Sequence, residues 1–317
     1  MARGYMTSDD LIASVKRRAF IPGSQSTFSD TDLLQFANEE MSMGLVPSVM
    51  RMHEDYLLFS ESITLEPGQS KYTIPYRAVG NKVREVAYID TNNNTIEMSR
   101  ISITQLPDYN IRNSSTNRIH LYYIQNNEIV LVPELSTAVV GTLKVTYYLR
   151  PNELVKLENV AVITNIDTNT GDITVSKIPS GYSSNNLMDF ISVKSPHVTL
   201  SFDKQPASVN STTNVITFNP ADIPTRLTVG DHVCLAGESA IPQVPSDLHV
   251  VLAHRVAARC LEAMGDNEAL GTANQKLAEM ELNTPTLIDN RVEGSPKKII
   301  ARHGFLRRGI FNKKYGR

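Results

Sequence analysis

Few residues of this chain have types and spacing that could do chemistry. Asp167-Thr168-Asn169-Thr170-Gly171-Asp172 has the oxygen density of a calcium loop, but its glycine falls one place early and no bidentate glutamate closes it. A hairpin turn explains the same residues, since Asp and Asn bond their own backbone there. His249 and His254 share one predicted helix but stand five apart, which splits them across faces and makes a poor zinc pair. Glu39-Glu40 and Asp9-Asp10 are paired carboxylates at helix positions, where capping or solvation accounts for them. No HExxH, GxSxG, Walker or GxGxxG pattern occurs. The two cysteines, Cys234 and Cys260, make neither a disulfide framework nor a ligand spacing. These residues predict a protein that is not an enzyme and carries no metal or cofactor.

The chemistry the chain does offer is that of binding, and it lies at the C-terminal end. Lys297 to Arg317 holds eight cations (Lys297, Lys298, Arg302, Arg307, Arg308, Lys313, Lys314, Arg317) and no carboxylate. Ile299, Ile300, Phe305, Leu306, Ile310, Phe311 and Tyr315 are interleaved with them. Such a tail is too basic to fold alone and too apolar for a solvated linker. It reads as an arm, residues 285–317, that orders on a partner protein.

The elements that hold this arm are helical. Ile241 to Asp247 is a proline-spaced, extended lead-in ending in an expected N-cap. Over 248–264 the spacing predicts a helix with Arg255, Arg259, Glu262 and Asp266 in one polar stripe. Val256, Ala257, Cys260, Leu261 and Met264, with their neighbours, leave it apolar over most of its remaining arc, so these five are expected to pack on other helices or on another subunit. Gly265-Asp266-Asn267 stops it and caps a second helix with Leu270, Ala273, Leu277 and Met280 on one seam, expected to end at Pro285. At the other end of the chain, Thr7 to Asp10 and Ser29 to Asp32 are capping signals for two more helices. Gly44 and Pro47 are expected to bend the second of these or to start a new turn before Val49.

From Asp55 the apolar period switches to two, predicting six or seven mostly antiparallel strands up to Leu149, two of them over 83–89 and 95–103 on either side of the Asn92-Asn93-Asn94 turn. Arg150-Pro151-Asn152 reads as a boundary. Residues 152–240, dense in Ser, Thr and Asn, predict short strands of the spacing found in a small barrel or sandwich. The expected class is α+β: a helical module built from both chain ends (1–53 and 241–284), an antiparallel β domain (54–151), an inserted small β-barrel or sandwich (152–240) and the extended arm. Proline-rich brackets at 150–151 and 242–245 suggest that the insertion folds autonomously.

Hydrophobic content of 41% and charged content of 20% are those of an ordinary globular chain. Outside the eight tail cations stand 23 Lys and Arg against 33 Asp and Glu, so the body is acidic. An acidic body argues against a protein that coats nucleic acid. The first residues lack the apolar core of a signal peptide, and no apolar run approaches the ~20 residues of a membrane helix.

The chain ends also resemble a known family. Asp32-Leu33-Leu34-Gln35-Phe36-Ala37-Asn38-Glu39-Glu40, then Gly44-Leu45-Val46-Pro47 and Glu54-Asp55-Tyr56, are similar to the N-terminal helices of head-to-tail adaptor proteins of short-tailed bacteriophages. Val256 to Asp266, Lys276-Leu277 and Pro296-Lys297-Lys298-Ile299 are similar to the closing helices and tail of that family. The resemblance implies a virion protein of the phage neck, a ring usually of twelve copies under the portal. It would join the portal protein to a tail or nozzle protein while genomic DNA passes through the bore. On that reading Lys297, Lys298, Ile299, Ile300, Arg302, Phe305, Leu306, Arg307, Arg308 and Phe311 dock on the portal. The alternative is a β-rich receptor- or glycan-binding tail component, to which the polar loops between 180 and 215 would be suited.

Overall fold

In a computed structural model, residues 5–22, 27–106, 121–132 and 140–288 are described. Helix α1 (Ser8–Arg18) starts at a capping box in which the Thr7 side chain accepts from the Asp10 backbone and the Asp10 side chain answers the Thr7 backbone. Ser29 and Asp32 repeat the arrangement at α2 (Asp30–Glu39). The bend expected at Gly44 and Pro47 is a six-residue π-helical turn, Glu40–Leu45, leading into α3 (Val46–Met52). Its wider hydrogen-bond ring places Pro47 in the first turn of α3, where a missing N–H is tolerated.

Helix α4 (His249–Met264) is the centre of this module. Its apolar arc is covered by α1, α2 and the π-helical turn from the other end of the chain, in a core containing Leu11, Leu33, Leu45, Val49, Leu252, Val256 and Cys260. Asp247 does not cap α4. A 3-10 turn (Ser246–Leu248) runs straight into the helix, because the Pro245 carbonyl accepts from Leu248 N at 2.8 Å and tightens the lead-in. Gly265, at φ 74°, supplies the left-handed stop, and Asp266 Oδ1 accepts from Ala269 N to start α5.

Helix α5 (Asn267–Ile288) does not end at Pro285. Proline leaves the Glu281 carbonyl without its helical donor. The next turn nevertheless persists, because Thr284 and Ile288 are buried and Ile288 joins the module core. Residues 285–288 of the expected arm are therefore helical.

The β residues 54–151 form two four-stranded sheets over one core. Strands β1 (Leu58–Thr64), β3 (Ala78–Ile89), β4 (Thr95–Glu97) and β8 (Thr142–Leu149) make an antiparallel sheet in the order β1-β8-β3-β4. Strands β2 (Lys71–Thr73), β5 (Ser99–Arg100), β6 (Leu121–Gln125) and β7 (Glu128–Val132) make the other, in the order β2-β7-β6-β5 with β5 parallel to β6. The single strand expected over 95–103 is thus split at Met98, which is buried as the chain changes sheets. A 3-10 turn follows at Ile103–Gln105.

The insertion holds β9 (Glu153–Leu154), β10 (Ala161–Asp167), β11 (Asp172–Val175), β12 (Met188–Ile191), β13 (Thr199–Lys204), β14 (Ser208–Asn210), β15 (Val215–Thr217), β16 (His232–Leu235) and β17 (Glu238–Ser239). Seven of these order as β13-β12-β16-β10-β11-β15-β14. A bulge between Ile163 and Asn165 bends β10, so that Ala161 and Val162 pair with β16 and the remainder pairs with β11. The bend folds the sheet over its own core, where the Phe190 and Phe218 rings lie 4.9 Å apart. No closed barrel forms among the described residues. The two edge strands, β13 and β14, are separated by only three residues. Pro206, which has no N–H, lies in that link, where it cannot donate to a strand ladder. β9 and β17 make a short parallel pair where the insertion enters and leaves.

Candidate functional site

The five residues expected to pack helices separate into two groups. Val256, Ala257, Cys260 and Leu261 are buried in the shared core. Met264, in the last turn of α4, is 37% exposed and lies outside that core. Burial pushes the Cys260 thiol up to about 11, so it is a packing group and not a nucleophile.

The polar stripe of α4 finds its partners on α2 and α5. Arg259 Nη1 contacts Glu39 Oε2 at 2.6 Å and its Nε lies 3.6 Å from Glu40. Arg255 lies 3.5 Å from Glu40 and bonds Glu281. Glu39 and Glu40 are thus ion-pair acceptors that register the two chain ends, not merely capping or solvated carboxylates. Gly44 makes room for this, since a side chain there would collide with the Arg255 guanidinium. The more exposed of these, Arg259 with Glu39, contributes at most about 1 kcal/mol and sets register more than stability.

His249 holds the start of the chain to the lead-in of α4. Its Nδ1 accepts from Met6 N at 3.1 Å, which requires Nε2 to carry the proton and donate to the Pro242 and Val244 carbonyls at 3.1 and 3.2 Å. The His197 ring lies 5.5 Å away and Tyr5 stacks beyond it at 5.2 Å. Burial, and then the neighbouring His197, bring the His249 pKa down to about 4, so the ring is neutral near pH 7. His254, as expected from its spacing, shares none of these contacts.

A second polar cluster joins the first β unit to the insertion. Arg77, between β2 and β3, sends Nη2 to Asp189 at 3.0 Å and to Asp203 at 2.6 Å. Its Nη1 reaches Asn152 Oδ1 at 3.1 Å, and its Nε reaches Tyr76 Oη at 3.1 Å. Asn152 Nδ2 donates to Asp189 Oδ2 at 2.7 Å, and Asn152 N donates to Gln243 Oε1 at 2.7 Å. The backbone N–H groups of Asp203 and Gly237 also donate to Asp189. Burial alone would lower the Arg77 pKa, but the bond to Asp203 and the charge of Asp189 raise it above its ordinary value. Each carboxylate in the cluster meets the shared Arg77 guanidinium, and neutral donors from Asn152, Asp203 N and Gly237 N complete the shell of Asp189, so the cluster is a joint.

Sequence reasoning missed this cluster. A signal was present: Asp189 sits in Met188-Asp189-Phe190-Ile191, a short apolar run in which an unpaired carboxylate could not be buried. The expected docking residues, Lys297 to Phe311, lie outside the described residues. Among the described residues no group of three or more His, Cys, Asp or Glu could hold a metal ion. No helix there is long and apolar enough to cross a membrane.

Comparison with known proteins agrees with a binding role. No curated protein matches the chain. A family model described as SU10 adaptor protein matches residues 6–183, more than half of the chain. That span takes in α1 to α3, both sheets of the first β unit and β9 to β11. It stops short of the run 256–298 that resembles adaptor tails, and it extends over the β residues between the two chain ends. The chain belongs to the SU10 adaptor protein family, and its role is that of a structural adaptor in phage assembly.

Proposed function

We propose that this chain is one subunit of a closed twelve-copy ring in the phage neck, assembled in the host cytoplasm. The portal protein would stand above it and a tail or nozzle protein below, with genomic DNA passing through the bore without sequence-specific contact. The observation that carries this reading is the family match across α1 to α3 and the first β unit. The acidic body supports it, because like charge keeps DNA from adhering as it slides.

Residues 289–317 are the portal-docking arm in this reading. Ile299, Ile300, Phe305, Leu306 and Phe311 would supply buried area, at about 1.5–3 kcal/mol for each side chain fully removed from water. Lys297, Lys298, Arg302, Arg307 and Arg308 would steer the arm onto an acidic portal surface. The test is deletion of residues 295–317, which leaves a folded protein that no longer joins portal-bearing heads. Normal affinity in the truncated protein would remove the arm from this role.

A further inference from the structure

A cleft of about 910 Å³ lies between α3 and the first β unit, with Met50 and Arg51 on one wall, Lys82 and Val83 on the other, and Arg100 and Ile124 between. Its β wall is an irregular length of β3. Ala78 pairs with Leu149 and Val83 with Tyr147, so the four residues Val79 to Lys82 stand opposite Tyr148 alone. Gly80 and Asn81 are both left-handed, at φ 55° and 56°, and carry this bulge out of the sheet. Bulges of this kind re-aim side chains and end pairing. Here Lys82 is placed over the Tyr148 ring at 5.1 Å, at the edge of the cleft.

Three cations from three elements therefore converge on one concavity. Among the described residues none of Arg51, Lys82 and Arg100 has an ion-pair partner. The one acid of the lining, Glu54, faces Arg84 at 3.7 Å. Arg77, Arg255 and Arg259, by contrast, each meet carboxylates of the same chain. An unmatched basic cleft on an otherwise acidic body complements that same body. A DNA strand would meet three cations inside a repelling field, which disfavours it as the occupant.

We propose that this cleft seats a second copy of the chain, which places a carboxylate-bearing segment against Arg51, Lys82 and Arg100. The inference rests on the ring reading above and names the face through which neighbours meet. Carboxyl groups in contact with Lys82 can be captured by a zero-length carbodiimide cross-linker. Necks assembled from a mixture of isotope-labelled and unlabelled chain should yield a mixed-label peptide joining Lys82 to an Asp or Glu of this same sequence. Arg51→Glu, Lys82→Glu and Arg100→Glu together should lower ring occupancy on portal-bearing heads at least tenfold at 0.15 M salt. Lys82→Glu alone, at an exposed position, serves if the triple variant does not fold, and it should weaken occupancy severalfold. Full occupancy in a folded variant, or a Lys82 cross-link only to portal or within one chain, overturns the inference and leaves the ring intact. Heads on which even the unaltered chain forms no ring overturn the ring reading instead.

Discussion

Replacing Arg77 with methionine tests whether the buried cluster is the joint between the two β units. Methionine keeps much of the stem volume but removes every donor to Asn152, Asp189, Asp203 and Tyr76. Asp189, whose side chain is fully buried, would then be left with only neutral donors from Asn152, Asp203 and Gly237 around it. Breaking a buried pair by removing one partner costs about 3–5 kcal/mol. In urea, at a slope of about 3 kcal/mol per molar for a chain of this size, that lowers the midpoint by about 1–1.7 M. The chain has no tryptophan, so tyrosine fluorescence and far-ultraviolet circular dichroism are the probes. Adding Asp189→Asn to Arg77→Met removes the stranded charge, and the pair should be less destabilised than the summed single variants by about 0.5–3 kcal/mol. A loss under about 1 kcal/mol for Arg77→Met, or strict additivity of the pair, would refute the reasoning.

Two further outcomes bear on the module and one on the arm. His249 has its folded pKa depressed to about 4 from an ordinary 6.5, so the unfolded chain binds more protons between those values. The stability it contributes is present above pH 6.5 and is lost as pH falls toward 4, by about 3 kcal/mol, and urea midpoints of His249→Asn should show a correspondingly smaller pH dependence over that window. Joining residue 151 to residue 241 by a short linker should leave the helical module and first β unit folded, at lower stability because Arg77 loses Asn152, Asp189 and Asp203; loss of all cooperative unfolding in calorimetry would show the boundary to be wrong. Phe305→Ala should weaken portal docking even at high salt, whereas Arg307→Ala should matter mainly at low salt, as binding curves at two ionic strengths would show.

Local chemistry determined much of this protein before any fold was known. Thr7 with Asp10 and Ser29 with Asp32 announce two helices because a side chain three residues away answers the same N-terminal donors. The wide apolar arc of α4 required cover on more than one side, and the period-two stretches fixed most strands, because both are properties of a few consecutive residues. The tail's basic and apolar mixture, and the adaptor-like ends, were legible in the same way. What lay beyond sequence depends on groups far apart in the chain. Arg77 and Asp189 are 112 residues apart, and nothing near either names the other. Glu39 and Glu40 read as solvated until α4 brought Arg255 and Arg259 to them. Pro285 is a local helix stop, overridden when Thr284 and Ile288 bury in the module. Met98 splits one expected strand between two sheets, and the curled insertion stays open between β13 and β14. Local rules rank the conformations of a segment; tertiary contacts of a few kcal/mol, supplied by residues a hundred positions away, choose among those that lie close in energy.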